Sequence, residues 1–281
     1  MTLFQAFILG LIQGLTEFLP ISSSGHLIFV PKIFGWADQG LYFDVVVHGG
    51  TLLSLLVYFR KKIWAIIKSC LFMDQTVQVD FSRVGTEVSS SQTDRRLALL
   101  ILLSVIPAAL AGWFFENTIE AYTRGSIIVG ISLIVWGILL GAADLYARSH
   151  ANQQFPLNSV TWKDALVIGV AQVIALIPGT SRSGITMTAG LFRHLDRKSA
   201  AEFSFLISIP VIGMAFVYKI LRIIQEANGA LDILPLVIGF LSAFASGLLA
   251  VWLLLKIISR WSFVPFVAYR IVVGILILWI L

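Results

Sequence analysis

Long apolar segments alternate with short charged segments along the whole chain, and this alternation excludes an ordinary water-soluble fold. A helix that crosses the hydrocarbon core of a bilayer needs about 20 apolar residues. Hydrophobic residues make up 58% of the 281 residues and charged residues only 12%, and no single soluble core could hide that much apolar surface. The sequence therefore predicts an all-α, polytopic integral membrane protein. Its six predicted full transmembrane helices are residues 41–59, 97–115, 125–143, 201–221, 233–255 and 261–281.

Two further apolar regions, residues 2–34 and 162–191, are interrupted near their middle by small polar residues. The interruptions, residues 20–25 and 178–184, are rich in glycine, proline and serine, which break helices. Non-helical backbone at membrane depth is tolerated only where it is buried in protein or lines a wet cavity. We therefore predict two re-entrant helical hairpins, with two kinked spanning helices as the alternative.

The two interrupted regions also resemble each other at a constant offset of 159 residues. An odd number of predicted spans separates them, so the second copy must be inverted. Inverted repeats with discontinuous helices usually place a binding site near the bilayer midplane, where the repeats meet. We predict a single integral membrane domain over residues 1–281, with inverted repeats at approximately 1–115 and 160–281. The matched pairs are Gly10 and Gly169, Gln13 and Gln172, Ser22 and Ser181, Ser24 and Ser183, and Gly25 and Gly184.

The distribution of lysine and arginine orients the predicted spans. If the first hairpin opens on one side of the membrane, most basic residues fall on the other side, including residues 60–62 and 95–96 and Arg193, Arg197 and Lys198. Basic residues favour the cytoplasm, so both termini and the mouth of the first hairpin are expected to face outward. A polar stretch at approximately 61–96 is then a cytoplasmic surface loop. The charges lie in short blocks between apolar runs, which argues against a nucleic-acid partner despite the net charge of +5.

The first hairpin contains the residue types that phosphate chemistry requires. Ionisable groups at bilayer depth are costly and indicate function, and this region contains Glu17 and His26, with Gln13 one helical turn before Glu17. A half-helix that begins at the break directs free N–H groups and its positive dipole end toward an anion. His26 follows Ser23 by three residues, close enough for a base to reach a nucleophile. Simple N-capping by the serines and a packed histidine are the structural alternatives. The hydroxyls at the break belong to Ser22, Ser23 and Ser24.

The second hairpin places Arg182 between Ser181 and Ser183, again where a half-helix begins. A guanidinium group binds phosphate oxygens bidentately, and the flanking hydroxyls and amides can complete an anion site. With the hairpins tip to tip, the sequence predicts an anion site beside lipid that includes a carboxylate and an imidazole. A purely structural pairing of Glu17 with Arg182 is the alternative. The single cysteine, Cys70, excludes an intramolecular disulfide framework.

Three ionisable residues inside predicted spans are assigned less weight. His48 either touches the site or packs against a neighbour. Arg270 is expected ~13 Å deep at 1.5 Å per residue and needs an acidic, carbonyl or substrate partner there. Asp44, near the outer end of its span, can reach the membrane interface.

Two longer motifs resemble a known family. The stretch from Gln13 to His26, QGLTEFLPISSSGH, resembles the first signature of the bacterial undecaprenyl-diphosphate phosphatases of the bacitracin-resistance type. Residues 178–186, PGTSRSGIT, are similar to their second signature, Pro-Gly-x-Ser-Arg-Ser-x-x-Thr. The resemblance covers essentially the whole chain. At Gln13 the family has either Glu or Gln, and the uncharged option here argues against a metal held by two carboxylates on that half-helix.

The resemblance implies an enzyme of the bacterial cytoplasmic membrane that removes the terminal phosphate of a C55 polyprenyl diphosphate, recycling the carrier for cell-wall synthesis. It marks Glu17, Ser23, His26 and Arg182 as catalytic. Arg182 would hold the diphosphate, Ser23 would attack and His26 would act as base or acid; attack by His26 or by metal-activated water stays open. Glu17 would orient His26 or hold a divalent cation, Mg²⁺ or Ca²⁺, and a homodimer is compatible with this interpretation. The substrate-binding candidates are Gln13, Ser22, Ser24, Gly179, Thr180, Ser181, Ser183 and Thr186.

A transporter or flippase for an anionic polyprenyl lipid is the competing function. Secondary carriers commonly have inverted repeats with broken helices at the midplane, and a carrier would also use Arg182 and two half-helix N termini. The grouping of Ser23, His26 and Glu17 favours the enzyme, because transport of a phosphate ester does not require it.

Overall fold

The computed structural model describes residues 1–71, 90–123, 125–226 and 232–280. Over those residues the chain forms α-helices joined by short turns and no β-strand, apart from one isolated bridge between Phe155 and Leu195. The all-α prediction is confirmed. In chain order the helices are α1 Leu3–Phe18, α2 Ser23–Ile33, α3 Gly40–Tyr58, α4 Arg60–Leu71, α5 Ser90–Thr123, α6 Ser126–Ser149, α7 Trp162–Val173, α8 Arg182–Phe192, α9 Arg197–Glu226, α10 Ile233–Ile258 and α11 Val264–Ile280.

Among the described residues, 5 helices are long and apolar enough to cross a membrane, namely α3, α5, α6, α9 and α10. They coincide with the first five predicted spans, and the chain is a multi-pass membrane protein. The sixth predicted span, residues 261–281, corresponds to α11, which has only 17 residues. A helix of that length extends about 25 Å, somewhat less than the hydrocarbon thickness of a bilayer.

The predicted polar loop at approximately 61–96 contains helix at both ends. Helix α4 covers its beginning and the first turns of α5 cover its end, while residues 72–89 lie outside the described residues. The first of these helices combines residues 60–62 and Lys68, all basic, with the exposed apolar side chains of Trp64 and Leu71. Such an amphipathic helix can form without being apolar enough to span.

Each interrupted region forms two short helices joined by non-helical backbone. Helices α1 and α2 contain 16 and 11 residues, and α7 and α8 contain 12 and 11. At 1.5 Å per residue, each is shorter than the ~30 Å hydrocarbon core. We call residues 19–22 the first elbow and residues 177–181 the second elbow. Each elbow ends in a serine that caps the returning helix with φ near +70°, at 71° for Ser22 and 69° for Ser181, a backbone region uncommon for residues other than glycine.

Each hairpin packs against a long helix from the opposite half of the chain. Helices α1 and α3 both pack against α10, and helices α7 and α9 both pack against α5. Gly10 lies directly against Gly239 and Ser242, and Gly169 lies directly against Ser104. A Cβ atom at either glycine would collide with the neighbouring backbone, so the two matched glycines have the same packing role.

The outward faces of the helices are apolar, as expected of surfaces in contact with lipid tails. Large side chains such as Trp113, Ile127 and Trp279 are well exposed. The polar side chains that the structure buries are concentrated instead around the two elbows and the helices next to them, including Glu17 and Arg270. Apolar side chains thus face outward and ionisable ones are buried, as expected of a membrane protein whose buried charges have a function.

Candidate active site between the two elbows

A cavity of about 590 Å³ lies between the elbows and helices α3, α5 and α9. Its wall combines apolar side chains with about as many polar and charged ones, which come from both hairpins and from the neighbouring helices. Such a mixture suits a ligand that has both a charged and an apolar part. The predicted residues in the wall are Glu17, Ser22, Ser23, Ser24, Ser181 and Arg182.

Glu17 connects the two hairpins at the centre of this cavity. The residue is 7% exposed, and its Oε1 atom accepts a hydrogen bond from Nη2 of Arg182 on the other hairpin. Its Oε2 atom accepts hydrogen bonds from Ser23 Oγ at 2.5 Å and from Gln13 Nε2 at 2.9 Å. The carboxylate is therefore paired, and the structural pairing considered from the sequence is present.

Ser23 and Arg182 occupy the same position in the two hairpins, the first residue of the returning half-helix. Both residues line the cavity, and the N-terminal end of a helix dipole favours an anion. Ser23 is partly exposed and Arg182 is 14% exposed. A hydroxyl and a guanidinium thus face one space from opposite sides of Glu17.

His48, which was assigned less weight from the sequence, also lines the cavity. Its Nδ1 atom donates to the carbonyl oxygen of Asp44 at 2.6 Å, which leaves Nε2 directed at Glu17, 3.7 Å from Oε2. When protonated, this imidazole adds a positive charge to the wall. The charged residues farther out along the wall include Lys32, Asp38, Asp44 and Lys219.

His26 lies outside the cavity wall, although it belongs to the same half-helix as Ser23. It is 4% exposed. Its Nδ1 donates to the carbonyl of Ser22 at 2.7 Å, and its Nε2 lies 2.6 Å from the hydroxyl of Tyr269, whose ring stacks on the imidazole. Because a carbonyl can only accept a hydrogen bond, a neutral His26 has its proton on Nδ1. Its Nε2 therefore accepts a hydrogen bond from the Tyr269 hydroxyl. Both ring nitrogens are engaged in holding the first elbow against α11.

The remaining predicted ligands lie behind the cavity wall. Ser183 donates to the carbonyl of Leu19 at 3.1 Å and so joins the second hairpin to the first elbow. Thr186 bonds to the carbonyl of Arg182 and lies 2.7 Å from the Ser204 hydroxyl. Their roles as substrate ligands stay predictions, as does that of Gln13. Gly179 and Thr180 contribute backbone carbonyls instead, described next.

Arg270 is completely buried and holds both elbows together. Its Nη1 donates to the carbonyl of Pro20 in the first elbow at 3.1 Å, and its Nη2 donates to the carbonyls of Gly179 and Thr180 in the second at 3.1 and 2.8 Å. Its Nε donates to the carbonyl of Leu133 in α6 at 3.1 Å. Of the three partner types considered from the sequence, backbone carbonyl is the one present.

The wall offers few ligands for a resident divalent cation. Within the described part of the chain, no three His, Cys, Asp or Glu side chains are grouped as metal ligands. Of the carboxylates that the described residues place in the wall, Glu17 is paired with Arg182 of the second hairpin, and its two oxygens already accept hydrogen bonds from Arg182, Ser23 and Gln13; the others are Asp38 and Asp44. Mg²⁺ and Ca²⁺ require oxygen ligands with free lone pairs, so this donor set does not fit a cation held by the protein alone.

We predict that Arg270→Gln destabilises the fold by about 3 kcal/mol, because it leaves the buried carbonyls of Pro20, Gly179 and Thr180 without their charged donor. Thermal unfolding of purified protein in detergent micelles measures the change. Arg260→Gln, at an exposed arginine after α10, is the matched control and should leave the midpoint unchanged. Equal midpoints for the two variants would contradict a clamp at Arg270.

Comparison with known proteins identifies the family. The chain matches the model for bacitracin resistance protein BacA over residues 6–276. It is 41% identical over 275 residues to undecaprenyl-diphosphatase 1 of Pseudoalteromonas translucida (strain TAC 125), covering 98% of this chain and 97% of that protein. It is 43% identical over 279 residues to the undecaprenyl-diphosphatase of Colwellia psychrerythraea, covering 99% of both chains, and 43% identical over 280 residues to that of Alteromonas mediterranea, covering 99% and 98%. The chain belongs to the bacitracin resistance protein BacA family.

Proposed function

We propose that this protein hydrolyses undecaprenyl diphosphate to undecaprenyl phosphate and inorganic phosphate, and so recycles the lipid carrier for cell-wall synthesis. The names of the relatives support this activity. The main structural observation in its favour is that Glu17 and Ser23 of the first hairpin and Arg182 of the second line one cavity and are joined by hydrogen bonds. A wall that combines charged and apolar side chains suits a diphosphate headgroup on a polyprenyl tail.

Arg182 is the proposed diphosphate ligand. It pairs with Glu17 through Nη2, and a guanidinium has further donors in the same plane for oxygens of a phosphoryl group. An entering diphosphate carries more negative charge than one carboxylate and competes for the guanidinium. Binding of substrate therefore loosens the pair and leaves Glu17 with only its donors from Ser23 and Gln13.

Ser23 is the proposed nucleophile and Glu17 its base. The Ser23 hydroxyl already donates to Glu17 at 2.5 Å, within the range required for proton transfer. As the Ser23 oxygen bonds to the terminal phosphorus, its proton passes to Glu17. The bond from that phosphorus to the bridging oxygen breaks, and undecaprenyl phosphate leaves with the bridging oxygen. Water then releases inorganic phosphate from the phosphoserine, while Arg182 and the two half-helix N termini stabilise the developing charge.

We propose a positioning role for His26 in place of its predicted role as base. Its two nitrogens hold the Ser22 carbonyl and the Tyr269 hydroxyl, so it supports the backbone that presents Ser23. Attack by His26 to form a phosphohistidine would first require one of these hydrogen bonds to break.

In the membrane we propose the predicted arrangement of six crossings, including α11, and two re-entrant hairpins as an inverted repeat. Two observations support it. The matched serines have φ of 71° and 69°, and α1 and α7 each pack against a long helix from the opposite half of the chain. The inner membrane, outward opening of the cavity and a homodimer belong to the same proposal. Labelling of single cysteines near Lys32 from either side of spheroplasts tests the orientation, and light scattering in detergent tests the dimer.

A transporter for an anionic polyprenyl lipid gains no support from the relatives named above. An assay of phosphate release in detergent micelles distinguishes an enzyme from a carrier, because micelles have no compartments between which a lipid could be transported. Release by the unaltered protein supports the phosphatase, and its absence in well-folded protein would contradict it.

We predict that Ser23→Ala and Glu17→Gln each lower kcat for phosphate release by about 100-fold or more, because the first removes the nucleophile and the second its base. The assay uses a polyprenyl diphosphate in micelles. Ser259→Ala, at an exposed serine after α10, is the control for loss of a hydroxyl and should keep full activity. Near-normal kcat in Ser23→Ala would exclude serine attack.

We predict that phosphate from a substrate labelled in its terminal phosphoryl group becomes attached to Ser23, because Ser23 faces the cavity and His26 does not. Rapid acid quenching followed by peptide mapping locates the label, and Ser23→Ala should contain none. Label at His26 would restore the phosphohistidine route, and a full burst of phosphate without any label would favour direct attack by water.

We propose that a divalent cation enters with the diphosphate and is held mainly by substrate oxygens, because Glu17 alone is a poor site. We predict that Mg²⁺ or Ca²⁺ without substrate leaves the thermal midpoint of the protein unchanged, whereas the cation together with inorganic pyrophosphate raises it. Strong binding of the cation to the protein alone, lost in Glu17→Gln, would contradict this and establish a resident metal.

A further inference from the structure

Gln172 is a buried amide in the cavity wall that the proposed mechanism leaves unused. It lies in the last turn of α7, is 2% exposed and lines the cavity together with Ser181 and Arg182. Within the described part of the chain, neither its Nε2 nor its Oε1 has a hydrogen-bond partner. Buried amides are nearly always paired, so this one requires an explanation.

The difference between the two hairpins explains why Gln172 is unpaired. Its counterpart at the offset of 159 residues is Gln13, whose Nε2 donates to Glu17 four residues later. At the position that matches Glu17, the second hairpin has Leu176, which also lines the cavity. The amide is present in both hairpins, but the carboxylate that accepts its hydrogen bond is present in only one.

The free amide suits a phosphoryl oxygen. A glutamine side chain presents two N–H donors without a charge and does not titrate. A diphosphate is rich in acceptor oxygens, and a hydrogen bond from a neutral donor to an anionic acceptor is stronger than one between neutral groups. An unpaired buried amide lowers the stability of the protein. Its presence is explained if the ligand supplies its hydrogen-bond partner.

We propose that Gln172 is a substrate-binding residue that donates a hydrogen bond from Nε2 to a phosphoryl oxygen of the diphosphate held by Arg182. This assignment rests on the proposed phosphatase function. It gives the second hairpin two ligands for the headgroup, one charged and one neutral, while the first hairpin supplies the nucleophile and base.

The test compares Gln172→Met and Gln172→Glu with the unaltered protein, by kinetics in micelles and by thermal unfolding without substrate. Methionine has a similar length but no donor, so KM should rise about 10- to 100-fold while the midpoint stays equal or rises, because an unpaired buried amide has been removed. Glutamate keeps the shape but repels phosphate, so KM should rise further. Val170→Met, on the exposed side of α7, is the control and should change neither quantity.

The result that would overturn the inference is a lower midpoint in Gln172→Met with unchanged KM, since that indicates a structural amide. Failure of the proposed function is recognised separately, as absence of phosphate release by the unaltered protein. In that event, the inference is tested by the increase in thermal midpoint that inorganic pyrophosphate causes in each variant. Less stabilisation of Gln172→Met than of the unaltered protein supports an anion ligand, and equal stabilisation refutes it.

Discussion

Unwound backbone that is buried in a membrane protein must find hydrogen-bond partners inside the protein, and Arg270 meets that requirement for both elbows at once. Its guanidinium donates to the carbonyls of Pro20, Gly179 and Thr180, which lipid could not satisfy. A single side chain from α11 thus joins the two hairpin tips, which are also linked by the hydrogen bond from Ser183 to the Leu19 carbonyl and by the pair of Glu17 and Arg182. A lysine could not replace Arg270, because three carbonyls at different angles match a planar fork of donors rather than one ammonium group.

The two hairpins share a backbone but carry different chemistry. Ser23 and Arg182 occupy the same first helical position, each after a serine with positive φ, and Glu17 matches Leu176. One hairpin thus presents a hydroxyl and a carboxylate, whereas the other presents a guanidinium. A symmetric site could bind an anion equally from both halves. This division agrees with the proposed mechanism, in which one half supplies the nucleophile and the other the cation.

Much of the fold and the central contact of the site followed from the sequence, because apolar length and clusters of glycine, proline and serine act locally. The spans covered by α3 and α10 and the interruptions at both elbows were predictable for that reason. The partners of Arg270 were not, because backbone carbonyls leave no sequence signal. The surroundings of the two histidines were not predictable either, because they depend on contacts between distant parts of the chain: His26 meets Tyr269 of α11, while His48 of α3 lies near Glu17.

The pair of Glu17 and Arg182 has to serve two states of the cavity. Without a ligand, an unpaired guanidinium or carboxylate between the elbows would be strongly destabilising, and each neutralises the other. In the proposed mechanism, a diphosphate offers the same arginine a better anionic partner, which would leave the carboxylate to the Ser23 hydroxyl. The proposed base would then become available only when there is a phosphorus atom to attack. Under this proposal, structural pairing and catalysis, which looked like alternatives in the sequence, are successive uses of one contact.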